Sequence, residues 1–99
     1  MRVRFSPEAI LSVREKRAWW AQHRDKAPHL FVEDLAAVVA KLREGADRER
    51  QQYAARAGRI VWRIVMPKTR HHVYYRHDRA GDIEILTVWN AVAASGPRL

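Results

Sequence analysis

The side chains best suited to handling charge are crowded between positions 59 and 79. Arg59, Arg63, Lys68, Arg70, Arg76 and Arg79 stand there against Asp78 alone. Six cations less one carboxylate place +5 of the chain's +8 in this stretch. Three of the five histidines, His71, His72 and His77, fall in it too. If the stretch is strand, alternation puts Arg63, His72 and Arg76 on one face, with Tyr74 between the last two. Cations interleaved with an aromatic ring suit a polyanion and its bases. The same pattern also suits the solvated sheet face of any basic protein. Composition and spacing leave both readings open.

Other chemistry finds less support. Adjacent strand residues point to opposite faces, so His71 and His72 do not converge on one ion, and His77 brings no carboxylate with it. No metal site and no cofactor are expected. There is no Gly-rich phosphate loop. Thr69, Thr87 and Ser95 are the only hydroxyl-bearing Ser or Thr after Ser12, and none sits in a nucleophile elbow. Glu33 and Asp34 are helical neighbours expected at the surface, so paired-carboxylate catalysis has no candidate. Trp62 and Trp89 are expected to be core residues.

The elements that must position these residues follow from periodicity. Arg2 to Phe5 alternate as a short strand. Ser6, Pro7 and Glu8 form a helix start: a capping hydroxyl, a proline in the first turn and an acid at the positive end of the dipole. This helix should run to about Arg24, with Ala9, Ile10, Val13 and Trp20 on its core side and Trp19 about 100° away from Trp20. Asp25-Lys26-Ala27-Pro28 breaks the chain. A second helix from Pro28 to about Glu44 carries Phe31, Leu35, Val38, Val39 and Leu42 at spacings of three and four, and Gly45 ends it. The polar stretch 46–58 either extends that helix or forms a mobile linker. The period then becomes two: strands at 59–66, 71–77 and 83–89, separated by turns at Pro67-Lys68-Thr69-Arg70 and Asp78–Asp82. Residues 90–99 read as loop. The order is β-α-α-β-β-β, an α+β domain with an N-terminal helical hairpin on one face of a four-stranded, mainly antiparallel sheet, the other face left open.

Length and composition set the outer limits. Ninety-nine residues make a single domain, here 1–99. At 47% hydrophobic and 30% charged the chain is globular in composition. Its net +8 predicts attraction to polyanions or to an acidic protein. With no cysteine, a disulfide scaffold, a thiolate zinc site and a cysteine nucleophile are excluded. No apolar run suits a membrane span, and Met1-Arg2-Val3-Arg4-Phe5 lacks the apolar stretch of a secretory signal, so a cytoplasmic protein without a membrane partner is expected.

The element order, together with particular residues, resembles the RelE/ParE superfamily of toxins from type II toxin–antitoxin modules. The resemblance covers nearly the whole chain: Val3-Arg4-Phe5-Ser6-Pro7-Glu8-Ala9 at the front, Arg63-Ile64-Val65-Met66-Pro67-Lys68-Thr69-Arg70-His71-His72-Val73-Tyr74-Tyr75-Arg76 in the middle, and Ile83 to Trp89 followed by Gly96-Pro97 at the end. The middle block is the specific part and resembles the ParE branch. Membership implies a growth inhibitor held inactive in a hetero-oligomeric complex with a cognate acidic antitoxin, for which Trp19, Phe31, Arg59 and Arg63 are the expected contacts. RelE-type members cut messenger RNA on the ribosome with basic residues on the middle strands, an arginine after the last strand and a tyrosine near the C-terminus. Here Arg63 keeps one basic position, Val65 and His72 stand where a lysine and an arginine would be, and Asn90 to Ala94 offer neither cation nor tyrosine. A nuclease would have to work with Arg63, His72 and Arg76. ParE-type members inhibit DNA gyrase by binding, which needs no catalytic residue. That activity is the one the resemblance favours, with Arg63, Lys68, Arg70, His72, Tyr74, Arg76, Trp89 and Asn90 as the expected target contacts. ParE-like relatives commonly carry histidine after the tryptophan and arginine shortly downstream. Asn90 and the apolar run after it depart from that pattern, so an attenuated toxin that only binds antitoxin is a further alternative.

Overall fold

The computed structural model describes residues 1–24 and 27–99. The order is β1 (Val3–Phe5), α1 (Pro7–His23), α2 (Leu30–Arg43), β2 (Gln51–Arg56), β3 (Arg59–Met66), β4 (His71–His77) and β5 (Ile83–Asn90). The α+β class agrees with the pattern in the sequence, but the sheet has five strands, not four, in the order β1-β5-β4-β3-β2. β1 runs parallel to β5, and every other pairing is antiparallel.

The extra strand comes from the segment read as helix extension or linker. Extension fails at Gly45, whose φ of +69° leaves the right-handed helix. The Gly45 N–H donates to the Leu42 carbonyl and the Ala46 N–H to that of Lys41, which closes α2 with a Schellman cap. Downstream, Ala57 and Gly58 both take positive φ, +52° and +77°. A two-residue turn of that hand matches the twist of an antiparallel pair and folds β2 back onto β3. The helices also start and stop slightly inside their expected limits. α1 ends at His23 and α2 begins at Leu30, past Pro28, and ends at Arg43. Asp25 and Lys26 of the expected break lie outside the described residues.

Both helices lie on one face of the sheet. α2 contributes Phe31, Leu35, Val38, Val39 and Leu42, and α1 contributes Ala9 and Trp20 with Val13 partly buried. They meet Ile64 and Met66 of β3, Val73 and Tyr75 of β4, and Ile83, Ile85 and Val88 of β5. Ile10, expected on the core side, is instead 44% exposed, because a helix resting on a sheet through small Ala9 presents only a narrow stripe. Ser6 fixes the helix start to the sheet: its Oγ accepts from the Ala9 N–H at 3.1 Å and donates to the Leu86 carbonyl at 3.0 Å. Among the described residues no helix is long and apolar enough to cross a membrane.

The opposite face is not bare. Residues beyond β5 turn back over it: the Trp89 indole N–H donates to the Ser95 carbonyl at 2.8 Å, the Tyr53 hydroxyl donates to the Pro97 carbonyl at 2.7 Å, and Pro97 is buried. Of the 90–99 stretch expected as loop, Asn90 ends β5 and residues 91–99 form no strand or helix, and they cover part of the face expected to be open.

Candidate functional site

Strand alternation carries Arg63 and Val65 of β3 and His72, Tyr74 and Arg76 of β4 to the face away from the helices. Arg63 lies across from Tyr74, Val65 from His72, and His72 in turn from Trp89. The expected grouping of Arg63, His72, Tyr74, Arg76 and Trp89 on one face is therefore present, but its members are in very different electrical states.

Arg76 is not free. Its Nε and one terminal nitrogen donate to Glu84 Oε1 at 2.9 and 2.8 Å, and the other Glu84 oxygen accepts from Arg4 at 2.9 Å. One carboxylate thus holds two guanidinium groups, and Arg76 serves the β4–β5 pairing. Arg63 is held differently: its Nε donates to the Gln51 side-chain oxygen at 3.1 Å, and its guanidinium carbon lies 5.7 Å from the centre of the Tyr53 ring. Neutral partners leave its charge intact. His72 is half-buried, and burial, followed by the positive charge of Arg63, holds its pKa below the ordinary histidine value of 6.5. Both effects favour its neutral form. Tyr74 is only 2% exposed, its ring packed edge-on to Tyr53 at 4.6 Å between centres. An aromatic expected to offer its face to a ligand is covered by another aromatic, whose hydroxyl is tied to the chain's own tail.

Lys68, Arg70 and Asn90 belong to a different place, the rim where the β3–β4 turn meets the end of β5. The turn is built on Asp34. This carboxylate was expected at the surface, yet it is 3% exposed and accepts three hydrogen bonds through one oxygen: from the Lys68 N–H at 3.1 Å, the Thr69 N–H at 2.8 Å and the Thr69 hydroxyl at 2.8 Å. The physical reason is position. Asp34 is three residues after Phe31 and four before Val38, so it lies on the apolar stripe of α2 and faces the turn. Arg70, at φ +57°, closes the turn by donating its N–H to the Met66 carbonyl at 2.9 Å. Lys68 and Arg70 stay exposed, and neither they nor Arg63 pair with a carboxylate among the described residues.

Beside this rim lies a groove of about 480 Å³ between the C-terminal half of α1 and the sheet end, lined among others by Lys16, Trp19, Trp20, Arg70, His71 and Asn90. Trp19, expected off the core side, is 48% exposed and stacks on His23 at 4.5 Å and 10°. The Arg24 guanidinium lies 6.0 and 5.6 Å from the Trp19 and Trp20 rings. His71 forms part of the wall. Burial first, then the charge of Lys16, lowers its pKa to about 4, with Asp34 and a Thr69 hydrogen bond opposing.

The remaining expected contacts do not join these groups. Phe31 is fully buried and edge-on to His71 at 5.2 Å, so it offers a partner no surface; the regularity of its stripe spends the ring on the core. Arg59 is exposed at the far end of the sheet, in a cleft with Arg76, His77, Asp78 and Arg79. Trp62, expected in the core, is only partly buried and carries the Arg50 guanidinium 4.0 Å from its ring centre. Trp89 is likewise only partly buried, tethered to the tail. Asn90 accepts the Val92 N–H on its side-chain oxygen at 2.9 Å and turns the chain after β5. Among the described residues no three His, Asp or Glu side chains are placed to hold a metal ion. Sequence reasoning missed Asp34, Tyr53 and the docking of Gly96-Pro97. For Asp34 the signal was present, a carboxylate on an apolar stripe; for Tyr53 there was none, since its strand was not foreseen. No family model, curated protein or solved structure matches the chain.

Proposed function

We propose that the chain is the toxin of a type II toxin–antitoxin module, of the ParE-like kind, acting in the cytoplasm by binding DNA gyrase and neutralised by an acidic antitoxin. The observation that carries this reading is the division of the cations. Arg76, which a nuclease would need, is bound to Glu84, whereas Arg63, Lys68 and Arg70, on the outer face and rim, pair with no carboxylate among the described residues. Such an arrangement attracts and holds a partner without breaking a bond. The groove beside Trp19 suits the antitoxin: an exposed aromatic anchor flanked by Lys16, Arg24 and Arg70, against which Glu15 is the one opposing charge among the described lining residues. Purified protein should inhibit gyrase supercoiling and trap cleaved DNA. No inhibition at a large molar excess over gyrase sinks the reading, and ordinary growth on strong expression without antitoxin points to the chain that only binds antitoxin.

One observation favours a second reading, ribosome-dependent cleavage of messenger RNA. Burial and the neighbouring Arg63 favour the neutral form of His72, which pairs a proton acceptor with an anion-binding group. Primer extension on messages from expressing cells decides it. Cuts that vanish in the Arg63→Ala, His72→Ala double variant establish the nuclease.

A further inference from the structure

We infer that residues 95–99 are an occluding strap, whose release opens the Arg63–Tyr74 face to its target; this rests on the reading of that face as the target-binding surface. The first observation is Tyr74. It projects from the face with no helix over it and is nevertheless 2% exposed. Its cover is Tyr53, and Tyr53 is pinned by the tail through its hydroxyl and the Pro97 carbonyl. The second observation is Gly96. A Cβ there would collide with the Tyr53 hydroxyl and approach its Cζ to 3.1 Å, so the tail backbone lies against the ring and only glycine fits. The third is the path. From the Trp89 indole at Ser95 the segment passes over Tyr53 at Pro97 and reaches Leu99, which lines a shallow pocket with Val61, Leu86, Arg56, Arg59 and Arg76. Pro97 and Leu99 also line a second cleft with Leu86, Thr87 and Trp89, so the segment lies on the outer face beside β5, where the Tyr53 ring reaches it from β2.

The fastening is light. Residues 95–99 belong to no strand, and two side-chain hydrogen bonds with one buried proline hold them. The approach through Ala93, Ala94 and Ser95 is exposed and small, able to swing without disturbing the core. A ligand that stacks on Tyr53 or Tyr74 beside Arg63 must displace the strap, so strap and target compete for one surface. The acidic partner's groove lies elsewhere, at the rim.

The test uses the full chain with Gly96→Val, which forces the tail off Tyr53, and Tyr53→Phe, which keeps the ring and removes only the bond to Pro97. Tetranitromethane nitration of each tyrosine reads the cover directly, with core Tyr75 as internal control. Tyr74 should resist nitration in the unsubstituted chain and react at least tenfold faster in Gly96→Val, with a smaller rise in Tyr53→Phe. The concentration for half-inhibition of gyrase should fall at least tenfold in Gly96→Val. Equal Tyr74 reactivity in all three proteins overturns the strap whatever gyrase does. Faster nitration with gyrase inhibited equally by every form overturns the strap's control of the face. Faster nitration with no inhibition by any form overturns the gyrase reading and the regulatory role with it.

Discussion

At the scale of single residues, Asp34 shows how much one buried carboxylate organises. Two backbone N–H groups and a hydroxyl converge on one of its oxygens, and together they hold the turn that presents Lys68 and Arg70. Asp34→Ala leaves those donors unpaired in a buried site and should cost about 2–3 kcal/mol. For a chain of this size that lowers Tm by roughly 10–20 °C, read by a circular-dichroism melt. A Tm within about 2 °C of the parent would mean the turn holds itself. His71, close by, makes stability depend on pH. Its pKa falls from 6.5 to about 4 on folding, through burial and the charge of Lys16, while Asp34 pulls the other way. Between those values the unfolded chain binds the proton and the folded chain does not. Stability is therefore full above pH 6.5 and is lost as pH falls toward 4. Urea melts at pH 7 and pH 4.5 should show this loss, and His71→Gln should reduce it; an equal loss in the variant would assign it to other groups. Both residues were visible in the sequence, but their roles were not. A carboxylate on an apolar stripe and a histidine beginning a strand gain meaning only when α2 and the β3–β4 turn meet.

At the scale of elements, legibility followed the strength of the periodic signal. β3 and β4 occupy the limits their alternation predicts, and β5 is one residue longer, because β-branched and aromatic residues recur with period two. β2 was illegible for the opposite reason. Gln51-Gln52-Tyr53-Ala54-Ala55-Arg56 has no alternation and little strand preference, and it becomes strand by pairing with β3. Its turn is equally disguised, since Ala57 stands where asparagine or glycine would advertise positive φ. That disguise has an energetic consequence. A non-glycine residue with a Cβ in the left-handed region is strained by about 1 kcal/mol, and asparagine tolerates it better. Ala57→Asn should therefore stabilise the hairpin and raise Tm by about 2–5 °C in a calorimetric scan. A fall in Tm would show that the turn does not hold the conformation described.

For the whole molecule, net charge matters less than its division between cations that hold the fold and cations that are left over. Arg4, Lys41, Arg50 and Arg76 are the cations paired with Asp or Glu among the described residues. Arg63, Lys68 and Arg70 are left with unspent charge on the outer face and the adjoining rim. The two groups should answer differently to the same truncation. Arg76→Ala removes two charge-assisted bonds to Glu84 and should lower stability by about 1–2 kcal/mol. On the proposed gyrase-binding reading, its effect on inhibition should not exceed what that instability explains. The Lys68→Ala, Arg70→Ala double variant removes exposed side chains and should leave Tm within about 2 °C, while raising the half-inhibiting concentration about tenfold or more. Raising salt from 50 to 200 mM shortens the Debye length from about 14 Å to about 7 Å, so it should weaken the unsubstituted chain more than the double variant. If Arg76→Ala abolished inhibition at unchanged stability and the double variant inhibited normally, the working charge would lie in the Glu84 pair, and the division drawn from the ion pairs would be inverted.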